Sequence, residues 1–354
     1  MTFKVQKYYI LLIFILIHGI VKSQDISFSQ YNLFQTYYNP VLSGMFEGTV
    51  KVSLINRDQW IKFVEDPYRS FGITGDIKFD LKNQDFRNDY LSLGAYFLSD
   101  RAQLLDWNKN EMGVGLSYYK KLDKFRNSYL SGGIGIGLLQ RSLSYDNIYF
   151  QDQFDGLNKY DNPTQEILPI NIHTTPDLKI GLGYQTQISS RWNMQLSSSI
   201  HYIFRPNFSF FKNLDDINYR GSSDYKALIR TNTIFNFVYE ITKYEQIIPR
   251  IFIGTQGPHT IIQIGTGYRK SFYSINQTAL HTAVSLRNVA SGTSITPVDL
   301  GLQIGFEIKS FIIGLHYDIG LRDAIRFSNP THSFELGLTW IGNYDNDGYV
   351  CPKF

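Results

Sequence analysis

The chain has 354 residues, a formal charge of +3, 43% hydrophobic residues, 16% aromatic residues and 28 glycines. So small a charge argues against nucleic acid as a partner, and a single cysteine excludes an intrachain disulfide framework or a cysteine-rich metal site. Slightly negative mean hydropathy beside so many aromatics is the balance of an alternating membrane barrel, where half of each strand is polar.

The opening residues have the pattern of an export signal. Lys4 and Lys7 supply the positive start, Tyr8–Ile17 the apolar core and Val21-Lys22-Ser23 a small residue before the cut. Residues 1–23 therefore read as a signal peptide and the exported chain as starting at Gln24. The apolar run is short for a membrane helix, and no later stretch is long enough for one. That leaves a periplasmic or secreted β protein, or an outer-membrane barrel.

Residues 24–48 do not alternate. Asn39 is placed to cap a helical turn with Pro40 at its first position and Gly44 ending it. The segment reads either as a plain leader or as a periplasmic or plug segment docked in or under a barrel mouth.

Residues 49–354 read as the barrel. Val50, Val52 and Leu54 alternate with Lys51 and Ser53, and Arg57 ends the same side as Lys51, pointing inward. Phe71, Ile73, Ile77 and Phe79 alternate with Gly72, Thr74, Asp76 and Lys78; Ile134, Ile136 and Leu138 alternate with Gly133, Gly135 and Gly137. The clearest hairpin puts Leu300, Leu302, Ile304, Phe306 and Ile308 on one side. After Lys309-Ser310, Phe311, Ile313, Leu315 and Tyr317 continue that side. Asp299, Gln303, Glu307, His316 and Asp318 lie opposite. An oily face backed by carboxylates and His suits lipid outside and water inside. The strands number about fourteen, even as a closed bacterial barrel requires, and a strand of about ten residues crosses a bilayer when tilted. The fold class is all-β, a transmembrane antiparallel outer-membrane β-barrel.

The connections sort by parity. The expected outer loops are Asp58–Arg69, Ser99–Lys109, Tyr145–Thr175, Pro206–Ser223, Gln256–His259, Asn288–Pro297 and Ile319–Pro330, with mostly shorter turns at the inner end. Phe79, Tyr118, Tyr184, Trp192, Tyr239, Tyr268 and Trp340 form an inner aromatic belt, and Phe97, Tyr202 and Tyr317 an outer one.

No catalytic set emerges. There is no G-x-S-x-G, H-E-x-x-H or C-x-x-C, and Gly133-x-Gly135-x-Gly137 has strand spacing rather than that of a dinucleotide fingerprint. His316, Asp318 and Glu335 read as hydrated lumen groups. Asp345-Asn346-Asp347-Gly348 lacks the distal Glu of a calcium loop and reads as a polar turn. No catalytic, cofactor-binding or metal-binding residue is assigned, and no cofactor is expected. Phe208, Phe210 and Phe211 lie in an outer loop, where exposed aromatics mark either a partner site or loop packing.

Several motifs resemble the PorP/SprF family. They are Gln24-Asp25, Phe28-Ser29-Gln30-Tyr31, Asn39-Pro40 with Ser43-Gly44, Asn56-Arg57-Asp58-Gln59-Trp60, Pro67-Tyr68-Arg69-Ser70 and the ending Cys351-Pro352-Lys353-Phe354. The resemblance implies a non-enzymatic outer-membrane protein of Bacteroidetes associated with type IX secretion and gliding motility. Its expected partners are outer-membrane lipid, a secreted surface adhesin or other type IX cargo, and other type IX components. Trp60 is expected to pack the adjoining loop. The alternative is an outer-membrane porin or solute transporter.

Overall fold

The computed structural model describes residues 26–343, apart from 62–66, 83–87, 103–105, 124–126, 147, 167, 211–225, 273–276, 292–293 and 322–330. The export signal, the turn at 345–348 and the ending at 351–354 lie outside the described residues.

Among the described residues fourteen strands close into one barrel. They are β1 (Val50–Gln59), β2 (Tyr68–Lys82), β3 (Asn88–Ala102), β4 (Trp107–Lys121), β5 (Tyr129–Ser142), β6 (Ile172–Ser189) and β7 (Trp192–His201). The rest are β8 (Arg230–Thr242), β9 (Glu245–Gln256), β10 (His259–Phe272), β11 (Thr278–Ser291), β12 (Ser294–Ile308), β13 (Phe311–Gly320) and β14 (Ser333–Gly342). Each pairs antiparallel with its neighbours in sequence, and β14 returns to pair with β1. Closure leaves no unpaired edge, which hydrocarbon does not tolerate. No helix among the described residues is long and apolar enough to cross a membrane.

The two faces are inverted relative to a water-soluble protein. Leu116, Ile134 and Ile136 are 56%, 59% and 60% exposed. Lys51, Asp76, Glu111, Lys179, Glu307 and Glu335 are buried on the opposite face. On β2 the outward apolar stripe runs from Phe71 to Leu81, a height of about 25 Å for a tilted strand, which is the thickness of the lipid-facing band.

The described strands put the connections alternately at the two ends as the alternation predicts, with Val50 and Gly342 together at the end expected to be the inner one. Several outer loops are shorter than expected, two of them most. β3 runs to Ala102 and β4 starts at Trp107; β11 runs to Ser291 and β12 starts at Ser294. The ladders continue above the apolar band because backbone pairing does not need an apolar outer face, so the alternation fades before the strand ends. The belts hold at Trp340 and Tyr317, which are 38% and 37% exposed. Tyr202 departs from its expected place. It is buried and packs edge-on against Phe208, with ring centroids 5.5 Å apart, because the chain leaves β7 at His201 and turns inward with Tyr202 at φ 57°.

Residues 26–49 lie inside the barrel. A single helical turn, α1 (Gln35–Tyr38), leads into a 3-10 helix, Pro40–Gly44. The Asn39 side chain accepts the Val41 amide at 3.1 Å, with Pro40 at the first helical position. Small inward residues make the room. A Cβ on Gly115 would meet Pro40 at 3.0 Å, one on Gly72 would meet the Phe34 ring at 2.6 Å, and one on Gly94 would meet Ser43 and Thr36 at 2.7 Å.

If the oily face is the lipid face, Ile134→Arg at mid-band costs about 2–4 kcal/mol in refolding from denaturant into lipid vesicles. An unchanged midpoint contradicts the assigned orientation.

Candidate functional site

The inner segment is tied to the wall at three clusters. The first straddles the seam where the barrel closes. Arg57 on β1 and Glu335 on β14 are register partners and form an ion pair. Arg57 also reaches Asp318 on β13 at 3.0 Å, and all three residues are buried. Glu335 accepts the backbone amides of Ser29 at 2.7 Å and Gln30 at 2.8 Å. The Ser29 hydroxyl donates to Asp318 at 2.5 Å and accepts from Arg57 and Arg287. That uses one donor and two lone pairs, the full capacity of a hydroxyl. His316 Nε2 lies 2.9 Å from Asp318, and the Gln263 amide donates to the Ser29 carbonyl at 2.9 Å. His316, Asp318 and Glu335, expected as hydrated lumen groups, are instead buried, with Asp318 and Glu335 bonded to the segment. The segment's amides and the arginines compensate the carboxylates.

The second cluster grips α1. Asp76 accepts from the Thr36 hydroxyl and lies 3.3 Å from Lys51 Nζ, which donates to Gln35 Oε1 at 2.7 Å. The third holds the far side. Lys179 on β6 pairs with Glu111 on β4 at 2.9 Å and donates to the Tyr37 carbonyl at 3.3 Å. Beside it the Tyr38 carbonyl accepts from Ser199 at 2.6 Å and Asn232 at 3.0 Å. The Tyr119 hydroxyl closes the base, donating to the Val41 carbonyl and accepting the Gly44 amide at 2.9 Å. Rings fill the gaps: Phe28 meets Phe34 at 5.3 Å and Tyr31 meets Phe252 at 5.1 Å. Burial pushes the Tyr31 and Tyr38 hydroxyls up from their ordinary value, so both stay neutral. The arrangement positions the inner segment against the wall, and among the described residues no group of His, Cys, Asp and Glu could hold a metal.

The match to known proteins follows this layout. A model of the type IX secretion system membrane protein PorP/SprF matches residues 20–340. The chain belongs to the PorP/SprF family. No curated protein matches the sequence. Among solved structures, the CymD monoaromatic hydrocarbon channel is similar with a TM-score of 0.50 and 7% identity, covering 88% of this chain and 93% of CymD. A TodX channel variant lacking S2 has a TM-score of 0.50 and 10% identity over 87% of this chain and 93% of its own. The Pseudomonas putida toluene transporter TodX has 0.48 and 10% over 91% and 95%. At such identities the likeness is one of fold: this PorP/SprF chain is an outer-membrane barrel.

The family-motif residues fall into two groups. Phe28, Ser29, Gln30, Tyr31, Asn39, Pro40 and Arg57 meet inside the barrel, as described. Gln59 and Trp60 lie at the outer end of β1, where Gln59 pairs with Ser333 and Trp60, at φ 64°, packs edge-on against Tyr68 at 5.2 Å. The alternation places Lys179 on the inward side of its strand without a role, and it does not single out Glu111 or Tyr119. Their one signal is a charged or large polar residue on the inward side of mid-strand, where a water-filled lumen would equally place one.

Two outer loops have described aromatic clusters. Phe208 and Phe210 fold inward over Arg141, whose guanidinium lies 4.1 and 5.6 Å from their rings; Phe210 also meets Trp107. Both are thus in loop packing, while Phe211 lies outside the described residues. In the loop 143–171, Tyr149 and Phe154 flank Tyr160, and Leu157 is 84% exposed. Asp155 Oδ1 accepts the amides of Leu157, Asn158 and Lys159 at 2.8, 3.0 and 3.1 Å, which holds its carboxyl below the ordinary Asp range.

Two outcomes are expected. Arg57→Ala leaves two buried carboxylates short of a partner, a loss of about 3–5 kcal/mol. It exposes residues 26–49 to protease while the heat-dependent gel shift of the folded barrel persists; a segment that stays protected contradicts the docking. For Asp155 the depressed pKa means stability is present above the unfolded value and lost as pH falls through the folded one. Exchange protection of the Leu157–Lys159 amides therefore holds at neutral pH and fades only in acid, below about 3.9. Asp155→Ala removes it at all pH values, and protection in that variant would exclude the Asp155 turn.

Proposed function

We propose that this barrel is a non-enzymatic outer-membrane anchor that supports type IX secretion and holds a secreted surface protein, such as a gliding adhesin, at the cell surface. One observation carries the reading: the lumen is occupied by the chain's own residues 26–49, bonded to strands on every side of the wall. A barrel filled this way is rigid and suited to presenting loops rather than passing solutes. Family membership supports the secretion role and contact with other type IX components.

The loops at 143–171 and 202–229 are the proposed grip. The first offers exposed Tyr149, Leu157 and Tyr160, and the second offers Phe204 at 80% exposure. Such side chains serve as anchors when a partner covers them. Phe208 and Phe210 would act one step back, by shaping the second loop from beneath.

Removal of residues 146–170 or 206–223 is expected to release cargo into the medium from cells whose barrel still shows the heat-dependent gel shift. Cargo retained at the surface by both deletions would end the proposal. In planar bilayers the wild-type protein is expected to be silent; a steady open pore would instead favour solute transport.

A further inference from the structure

A row of polar side chains crosses the outward face of β1–β4. Asp58 pairs with Arg69, Arg69 with Arg101 and Arg101 with Asn108. Arg69 is the next outward residue after Phe71, and Arg101 lies two outward positions beyond Phe97. Both guanidiniums therefore stand where the apolar band ends and headgroups begin. Like charges directly opposed in an antiparallel pair repel, so the arrangement calls for an anion. On the first strand Asp58 lies 3.9 Å from Arg69 Nε. Neither arginine makes a hydrogen bond to another described residue. A cavity of about 360 Å³ opens between them, lined by Pro67, Arg69, Arg101, Ala102, Asp106 and Asn108. The lining itself carries two arginines against one aspartate, Asp106, while Asp58 lies outside it beside Arg69. The Asn108 amide gives one of its two N–H groups to the Asp106 carbonyl at 2.9 Å, so the arginines supply most of the donors.

We propose that this cavity binds the phosphate of an outer-leaflet lipid. A guanidinium fork matches two phosphate oxygens, and its weaker hydration suits a site at the edge of hydrocarbon. Two forks side by side take one phosphate between them and relieve their own repulsion. The acyl chains then lie down the exposed faces of Phe71, Ile73 and Met112, which are 41%, 36% and 51% exposed. Arg69 belongs to the Pro67-Tyr68-Arg69-Ser70 stretch, and neither the docking of the inner segment nor the loops use it.

The test is native mass spectrometry of the full chain in detergent, titrated with diphosphorylated lipid A, with its dephosphorylated form and with inorganic phosphate. The phosphorylated lipid is expected to bind the wild type at least about tenfold more tightly than Arg69→Gln/Arg101→Gln, the scale of losing charge-assisted bidentate contacts. The dephosphorylated lipid is expected to bind both alike and weakly. The heat-dependent gel shift verifies that the double variant is folded. A double variant that binds the phosphorylated lipid as well as wild type overturns the proposal. So does equal wild-type binding of the dephosphorylated lipid. Arginine-dependent binding of inorganic phosphate with no preference for the lipid overturns the lipid as the source.

Discussion

The ion pair between Arg57 and Glu335 joins the first strand to the last. Hydrocarbon does not tolerate an open sheet edge, so the backbone ladder between these strands must close, and the ion pair sits at one step of it. The two residues are direct register partners, and a slip of one place would turn every oily side chain of β1 inward. A buried ion pair adds little net stability compared with a well-packed apolar pair, but a mispaired one is costly, so its contribution is to register. The same carboxylate accepts the amides of Ser29 and Gln30. The register of the seam and the seating of the inner segment therefore meet at one group.

The rest of the interior follows from that arrangement. A lumen holding a folded segment needs small residues where the backbone comes close and polar ones where helix ends and turns leave carbonyls unpaired. Gly72, Gly94 and Gly115 supply the first; Lys179, Asn232 and Ser199 supply the second. The exterior needs only oiliness at the right height. Freed from making a core, the outer loops can diverge, and the proposed grip lies there.

Much of the wall was legible in the sequence. Lipid outside and polar groups inside impose a strict two-residue period, and the hairpin around Lys309-Ser310 shows it at full strength, with Ile308 paired to Phe311. Strand ends were less legible. Above the band both faces are polar, so the period disappears while the hydrogen bonds continue, as between Ser291 and Ser294. The candidate site was the least legible. Arg57 could be read as inward-facing, but its partners lie 261 and 278 residues away in sequence. Residues 26–49 have no period because they meet a curved wall on every side. Their capping signal at Asn39 and Pro40 marks a turn and says nothing of what surrounds it. Phe208 and Phe210 show the converse: composition cannot separate an aromatic that faces a partner from one that stacks on a nearby arginine.

Disulfide trapping across the seam tests closure and register most directly. The hydroxyls of Ser53 and Thr339 lie 2.9 Å apart on paired residues of β1 and β14. With Cys351→Ser in the background, Ser53→Cys/Thr339→Cys is predicted to cross-link nearly completely in membranes on mild oxidation, whereas Ser53→Cys/Gly337→Cys, two residues out of register, is not. Cross-linking of the offset pair in place of the first, or of neither pair in folded protein, would contradict a barrel closed by Arg57 and Glu335.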